Sequence, residues 1–379
     1  MQKFKNEYEY LVHLIKCALR DLQPIEKPKE LSFDKVLKYG KDHEVANIAF
    51  VSVERLSVKP KDEVYTKWKT AYAFSIQRHA NQMNAHNKIV AALNDVGIRH
   101  IEAQGTIMKK LYPHPEWRMM SDLDFIIDKE NLDAAEDVMK ALGYETKNPN
   151  GVEVDAYGKN GIAIELHSDF FDPNSMCYGS ISDAFSMSTQ TADTYSYRVS
   201  DTAFYLYNLL HCIKHYLQRG AGIRRIMDLY LLKEKLSNKV DLQLIEKVLT
   251  ENRYKDVVNN LFAVAEKWFG EGNINCTIDL SQIEESIYLA NNHGSTEVQL
   301  NNEYKRSEKN KLNFKLHKCL SLIFASKENI YRAYPFCQKH NYPIVLCWLH
   351  RGFCILFFKR KRTTAFKLIR RIIGVKIFK

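Results

Sequence analysis

The chain has 379 residues, 45% of them hydrophobic and 26% charged, with a formal net charge of +10. These values exclude a largely disordered chain and leave enough apolar material for two or three domains. The charge is unevenly spread: twelve Lys and Arg residues and no acid follow Glu328, so the preceding 328 residues are close to neutral. That excludes a uniformly basic nucleic-acid binder and describes a near-neutral body with a basic tail.

At the N-terminus, Lys3, Lys5, Glu7 and Glu9 interrupt any apolar run, so a secretory leader is not expected. The eight cysteines form no C-x-x-C pair, which favours reduced thiols and a cytoplasmic setting. Residues 3–22 repeat Tyr8, Leu11, Val12, Ile15 and Leu19 at helical spacing, and Pro24 and Pro28 break the pattern. Ser32 is placed to cap a second helix, and Val45 to Val51 continues the helical reading. Asp62 to about Val96 reads as a long helix with Tyr65, Trp68, Tyr72 and Ile76 on one stripe, ended by Gly97. Residues 1–80 are thus expected to be an N-terminal helical region.

The register changes over residues 81–175, which read as a small α/β core. Ile98 to Ala103 is extended, Gly105-Thr106 reads as a turn, and Asp122 to Ile127 reads as a strand. Asp128 caps a helix over 129–142 that ends at Gly143, and Val152–Tyr157 with Gly161–His167 reads as a hairpin. Strand alternation puts Asp122 and Asp124 on one side, and Leu123, Phe125 and Ile127 on the other. Glu165 shares a face with Ala163 and His167. Were the two strands neighbours, Glu165 would complete a three-carboxylate cluster with Asp122 and Asp124. Close carboxylates repel unless a cation or proton sits between them. Oxygen donors of this kind suit Mg²⁺ (or Mn²⁺). Gly105 lets backbone approach a phosphate, the Thr106 hydroxyl can donate to one, and Arg118 can neutralise triphosphate charge.

Residues 176–290 read as a helical domain. His211 and His215, at i and i+4, share a helix face and are candidates for an acceptor site or for supporting roles, as is His167. Asp228 is expected to pair with Arg224 or Arg225, with a role near the nucleotide as the alternative. Residues 291–311 are polar and read as a loop or linker, and 312–379 as a basic amphipathic C-terminal region. Cys337-x2-His340 and Cys347-x2-His350 have zinc-like spacing, yet buried thiols and surface imidazoles are the favoured reading. Residues 342–358 are too short and too interrupted for a membrane span. Over 363–378, Ala365, Leu368, Ile369, Ile372 and Ile373 face away from Lys367, Arg370 and Arg371. This helix is expected to pack on the helical body, with an anionic surface (membrane or nucleic acid) as the alternative partner.

The run Gly97 to Thr106, the stretch Arg118 to Ile127, and Ile164-Glu165-Leu166-His167 together resemble the uncharacterised nucleotidyltransferase family of bacteria, within the DNA polymerase β-like superfamily. Similar elements extend over about residues 30–270, including Lys41 to Val45, His211 to His215 and Arg225 to Leu229. The resemblance implies an α+β fold, with a small mixed β-sheet nucleotidyltransferase core flanked by N-terminal and C-terminal helical regions. It implies Asp122 and Asp124 as metal ligands, Glu165 as the third carboxylate, and Gly105 and Thr106 at the triphosphate. The family carries Lys before that glycine, where this chain has Gln104, which can hydrogen-bond but brings no charge. The expected reaction is transfer of NMP from an NTP such as ATP to an acceptor hydroxyl, releasing pyrophosphate. The rival readings are a DxD glycosyltransferase using a nucleotide-sugar, and a catalytically silent binding protein of the same fold. The expected setting is cytoplasmic, with attachment to the inner membrane face as the variant the basic tail suggests.

Overall fold

The computed structural model describes residues 4–102, 104–147, 153–159, 161–181, 183–191, 194–271, 279–292, 294–307 and 310–374. The chain divides into two units, Met1–Tyr216 with Ala221–His293, and Leu217–Gly220 with Gly294–Lys379.

The first unit begins with helices α1 (Glu7–Leu19), α2 (Phe33–Asp42) and α3 (Ala46–Val53). Helix α3 is mostly apolar and enclosed by its neighbours, and its two buried polar side chains, Asn47 and Ser52, donate to the carbonyls of Trp117 and Leu14. Helix α4 (Asp62–Asp95) has 34 residues, a length of about 50 Å at ~1.5 Å per residue. Gly97, at φ +74°, ends it in the left-handed conformation that glycine adopts without steric cost.

The sheet follows. Its strands are β1 (His100–Glu102), β2 (Asp122–Ile127), β3 (Glu145–Lys147), β4 (Glu153–Tyr157), β5 (Ala163–His167), β6 (Ser188–Gln190) and β7 (Ser196–Val199). They lie in the order β3-β4-β5-β2-β1-β7-β6. Strand β2 runs parallel to β5 and antiparallel to β1, so the sheet is mixed. Strands β6 and β7 lie inside the segment expected to be helical; both are short and carry little apolar alternation to announce them.

The alternation of β2 decides which face is buried. Leu123, Phe125 and Ile127 join Val154, Ala156, Ile164 and Leu166 in one core. Ala85, Ile89 and Leu93 of α4, with Leu132, Ala135 and Met139 of α6 (Leu132–Ala141), cover that core. Each large side chain buried there contributes about 1.5–3 kcal/mol. The opposite face, carrying Asp122, Asp124 and Glu165, is left free for chemistry. Between β1 and β2, Gln104–Lys109 forms the short helix α5, so Gly105 and Thr106, expected as a turn ahead of a helical connection, lie within the helix itself. The fold is therefore α+β, a mixed sheet with helical regions before and after it in the chain.

Helices α7 (Asp201–Gln218), α8 (Ile223–Leu236), α9 (Leu242–Glu251), α10 (Lys255–Phe269) and α11 (Ser281–Ala290) follow the sheet. His43, at the end of α2, ties two of them down. Its Nδ1 accepts from the Ile223 backbone N–H at 3.1 Å, and its Nε2–H donates to the Tyr288 carbonyl at 3.2 Å. Burial pushes this imidazole down to about 4, and burial likewise pushes His13 down to about 4. Unfolded imidazoles titrate near 6.5, so below that pH the unfolded chain binds more protons than the folded one. Stability conferred by the neutral rings is therefore complete above about pH 6.5 and is lost as pH falls toward about 4. Thermal melts across this window are expected to show the fall, and a His13→Gln/His43→Gln variant a shallower one.

The second unit corrects one expectation. Residues 291–311, expected to be a loop, contain helix α12 (Thr296–Lys305). Ser295 caps it by accepting from the Val298 N–H, and Val298 and Leu300 are buried, so three local features outweigh a polar composition. Helices α13 (Lys311–Leu320), α14 (Lys327–Ala333), α15 (Pro335–Lys339), α16 (Ile344–Phe357) and α17 (Lys359–Gly374) complete the unit. Cys337, Cys347 and Cys354 are buried in an apolar cluster with Ala325, Ile330 and Tyr334. Among the described residues, the Cys and His side chains of 337–350 do not converge as a metal site. No helix of the described residues is long and apolar enough to cross a membrane.

Candidate active site

The parallel pairing of β2 with β5 sets Asp124 beside Glu165 and Asp122 beside Ala163. His167, two residues beyond Glu165, projects from the same face. Its Nε2 lies 3.6 Å from Asp124 Oδ1 and 3.4 Å from Glu165 Oε2. Ligand atoms of Asp124, Glu165 and His167 all fall within 4.8 Å of one another, the group of this kind among the described residues. Burial opposes a charge on His167, but hydrogen bonds to and the fields of Asp124 and Glu165 prevail, pushing it up to about 10. Without a metal, the imidazolium thus relieves the repulsion between the two carboxylates.

These residues line a cleft of about 400 Å³, within the range of small-molecule sites. Asp122 lines it too, with its carboxylate accepting from the Ser121 hydroxyl at 2.8 Å. The approach to β2 is fixed from below by α4. Arg78 donates to the carbonyls of Met120 and Ser121, each at 2.8 Å, and Gln82 donates to the Met120 carbonyl at 3.0 Å. Gly105 reaches the cleft, and a Cβ on it would displace only the flexible end of Met120, whose Sδ lies 2.9 Å away. Thr106 is buried and is not part of the lining. Gln104 begins α5, and its side chain lies outside the described residues.

The other wall of the cleft is cationic. It includes Lys214 of α7 and Arg224 and Arg225 of α8, together with Arg118. Two of these cations are already committed. Arg118 is buried and makes a two-pronged pair with Asp228, Nε to Oδ1 at 2.9 Å and Nη2 to Oδ2 at 3.0 Å. Tyr112 donates to Asp228 Oδ1 at 2.6 Å. Burial works against the Asp228 carboxylate, but Arg118 outweighs it and holds the group below the usual range. This corrects the expectation that Asp228 pairs with Arg224 or Arg225: helix spacing suggested those partners, whereas the fold brings Arg118 from 110 residues away. Arg224 instead pairs with Glu44 at 2.5 Å and donates to the Met119 carbonyl.

Arg225 differs. Among the described residues it forms no ion pair, and its buried Nε has no hydrogen-bond partner. Burial and the neighbouring Arg224 push its guanidinium down to about 10, so it stays charged at neutral pH. Sequence reading named this residue only as a candidate partner for Asp228, not as a free cation of the cleft. Adjacent helical residues point about 100° apart, so only one of Arg224 and Arg225 could turn to Glu44. His211 and His215 line the same cleft, with their Nε2 atoms 2.8 Å apart and His211 stacked on Tyr207. They are not part of the converging set.

The cleft therefore sets a carboxylate–imidazole cluster against a wall of cations. The first suits a divalent cation, and the second an anion such as a polyphosphate. A family described as an uncharacterised nucleotidyltransferase matches residues 29–270. No curated protein and no solved structure matches the chain.

Proposed function

We propose that this chain, which belongs to that uncharacterised nucleotidyltransferase family, catalyses metal-dependent transfer of NMP from an NTP to an acceptor hydroxyl. The observation that carries the reading is the register that joins Asp124 to Glu165 and His167, opposite the unpaired Arg225. Two carboxylates and one imidazole are a donor set that fits Mg²⁺ or, with its tolerance for nitrogen, Mn²⁺. Asp124, Glu165 and His167 would hold the ion, with Asp122 beside them as a further oxygen donor. When bound, the metal would withdraw electron density from the α-phosphate and neutralise charge on the leaving pyrophosphate.

The chain's own groups do the rest. Arg225 and Lys214 attract and orient the phosphates, which Arg118 cannot do without abandoning Asp228. The acceptor oxygen bonds to the α-phosphorus as the α–β bridging bond breaks. The acceptor's proton passes to one of the strand carboxylates, and pyrophosphate leaves with the bridging oxygen.

Labelled NTPs, Mg²⁺ or Mn²⁺ and a cell extract test this reading. Label from the α-position, but not from the γ-position, is expected on an acceptor. Nucleotide binding without any transfer would point to the silent member of the fold, and transfer of a sugar from a nucleotide-sugar to the glycosyltransferase. Arg225→Gln is expected to weaken NTP binding about tenfold to a hundredfold, as loss of a charge-assisted contact does. The melting temperature should not fall, because among the described residues the guanidinium has no ion-pair partner to lose and its burial beside Arg224 disfavours the charge. Titration calorimetry separates the two effects.

A further inference from the structure

The second unit carries a surface that the catalytic reading does not use. Helix α16 is held by one side: Cys347 and Cys354 are buried, Trp348 Nε1 donates to the Ala325 carbonyl at 2.8 Å, and Arg351 Nε donates to the Leu322 carbonyl at 2.6 Å. Its other side is apolar and bare. Val345, Leu346, Leu349, Phe353, Leu356 and Phe357 are each more than half exposed, as is Phe358 just beyond. At about 100° per residue, the six positions on the helix fall within an arc of about 120°, one continuous stripe. Large apolar side chains scattered singly need no explanation, but a stripe of this length does.

Helix α17 follows directly, and its cations Lys359, Arg360, Lys361, Arg362, Lys367, Arg370 and Arg371 are all exposed. Among the described residues, none of the seven forms an ion pair. Part of the apolar side of α17 is already used: Ile372 and Leu368 pack with Leu300 and Phe314, while Ile373 on the same side is exposed. The amphipathic helix that sequence periodicity picks out is thus partly covered within its own unit, and the longer exposed apolar surface belongs to the helix before it.

We propose that α16 and the basic run of α17 form a docking surface for an anionic lipid bilayer. Helix α16 has 14 residues, about 21 Å at ~1.5 Å per residue, well short of the roughly 30 Å hydrocarbon core. It therefore lies in the interface, with its stripe among the acyl chains and the cations of α17 at the lipid headgroups. Charge complementarity selects this occupant. A nucleic acid would satisfy the cations but leave the stripe in water. A second copy would cover the stripe but bring two acid-free basic helices together.

Flotation of the full-length protein with vesicles tests the proposal. The protein is expected to float with phosphatidylcholine–phosphatidylserine vesicles, to float poorly with phosphatidylcholine alone, and to be released by salt. Leu349→Glu/Phe353→Glu replaces exposed side chains, so the fold is kept, and is expected to lose at least about tenfold in vesicle binding. Lys359→Glu/Arg360→Glu is expected to remove the preference for phosphatidylserine. Equal flotation of wild type and both variants would overturn the proposal. So would a wild-type dimer in light scattering that Leu349→Glu/Phe353→Glu dissociates, or RNA binding that survives that substitution while vesicles are not bound. Nucleotidyl transfer in solution should be unchanged in both variants, which keeps this surface separable from the cleft.

Discussion

Asp124→Asn is expected to reduce nucleotidyl transfer by roughly a thousandfold, the scale of losing a central electrostatic group in an active site. The substitution keeps the shape of the side chain and removes its charge. Asp124 is the strand residue that touches both neighbours: register places it beside Glu165, and His167 Nε2 lies 3.6 Å from its Oδ1. Glu165→Gln should be similarly damaging. His167→Gln should lose less, about tenfold to a hundredfold, if the ring is one ligand among several. Asp124→Asn should lower stability only modestly, because the His167 imidazolium loses one of its two carboxylates and keeps Glu165. Circular dichroism melts, Mn²⁺ binding followed by electron paramagnetic resonance, and α-label transfer together check the prediction. Full transfer by Asp124→Asn would remove the metal cluster from the mechanism.

Arg118→Met is expected to act through folding. It leaves the buried Asp228 carboxylate without its two-pronged partner, and the Tyr112 hydroxyl alone cannot replace a charge. Breaking a buried pair on one side costs about 3–5 kcal/mol, which for a unit of this size lowers the melting temperature by roughly 10 °C. Asp228→Leu alone should cost a similar amount, by stranding the guanidinium. The double variant Arg118→Met/Asp228→Leu should recover much of the loss, since no charge is then left uncompensated. Denaturant titration of the four proteins gives the coupling directly. Additive losses would mean that the pair is not mutually dependent.

The two kinds of residue were unequally legible from sequence. Asp124 and Glu165 could be read because a strand has period two, on the condition that the two strands are neighbours; His167 was expected only in a supporting role, and Asp122, expected as one of the three carboxylates, lies outside the converging set. The same alternation predicted the buried face formed by Leu123, Phe125, Ile164 and Leu166. The cationic wall could not be read this way. Local spacing on α8 offered Asp228 two plausible arginines, yet the partner came from the loop before β2, and no local period encodes such a pairing. Helix α12 was hidden for another reason. Its stability rests on one cap and two buried apolar side chains, which a count of polar residues overlooks. In α16 the apolar positions were visible, but whether they face a core or water is decided by which side Cys347 and Trp348 turn inward.

The grip of α4 on β2 has a consequence for inheritance. Arg78 and Gln82 hold the carbonyls of Met120 and Ser121, groups that every amino acid possesses. Positions 120 and 121 can therefore drift with little penalty to this contact, whereas 78 and 82 cannot. The residues that aim the acidic strand would leave their evolutionary trace some forty positions upstream of it, in a helix that contributes no residue to the lining of the cleft.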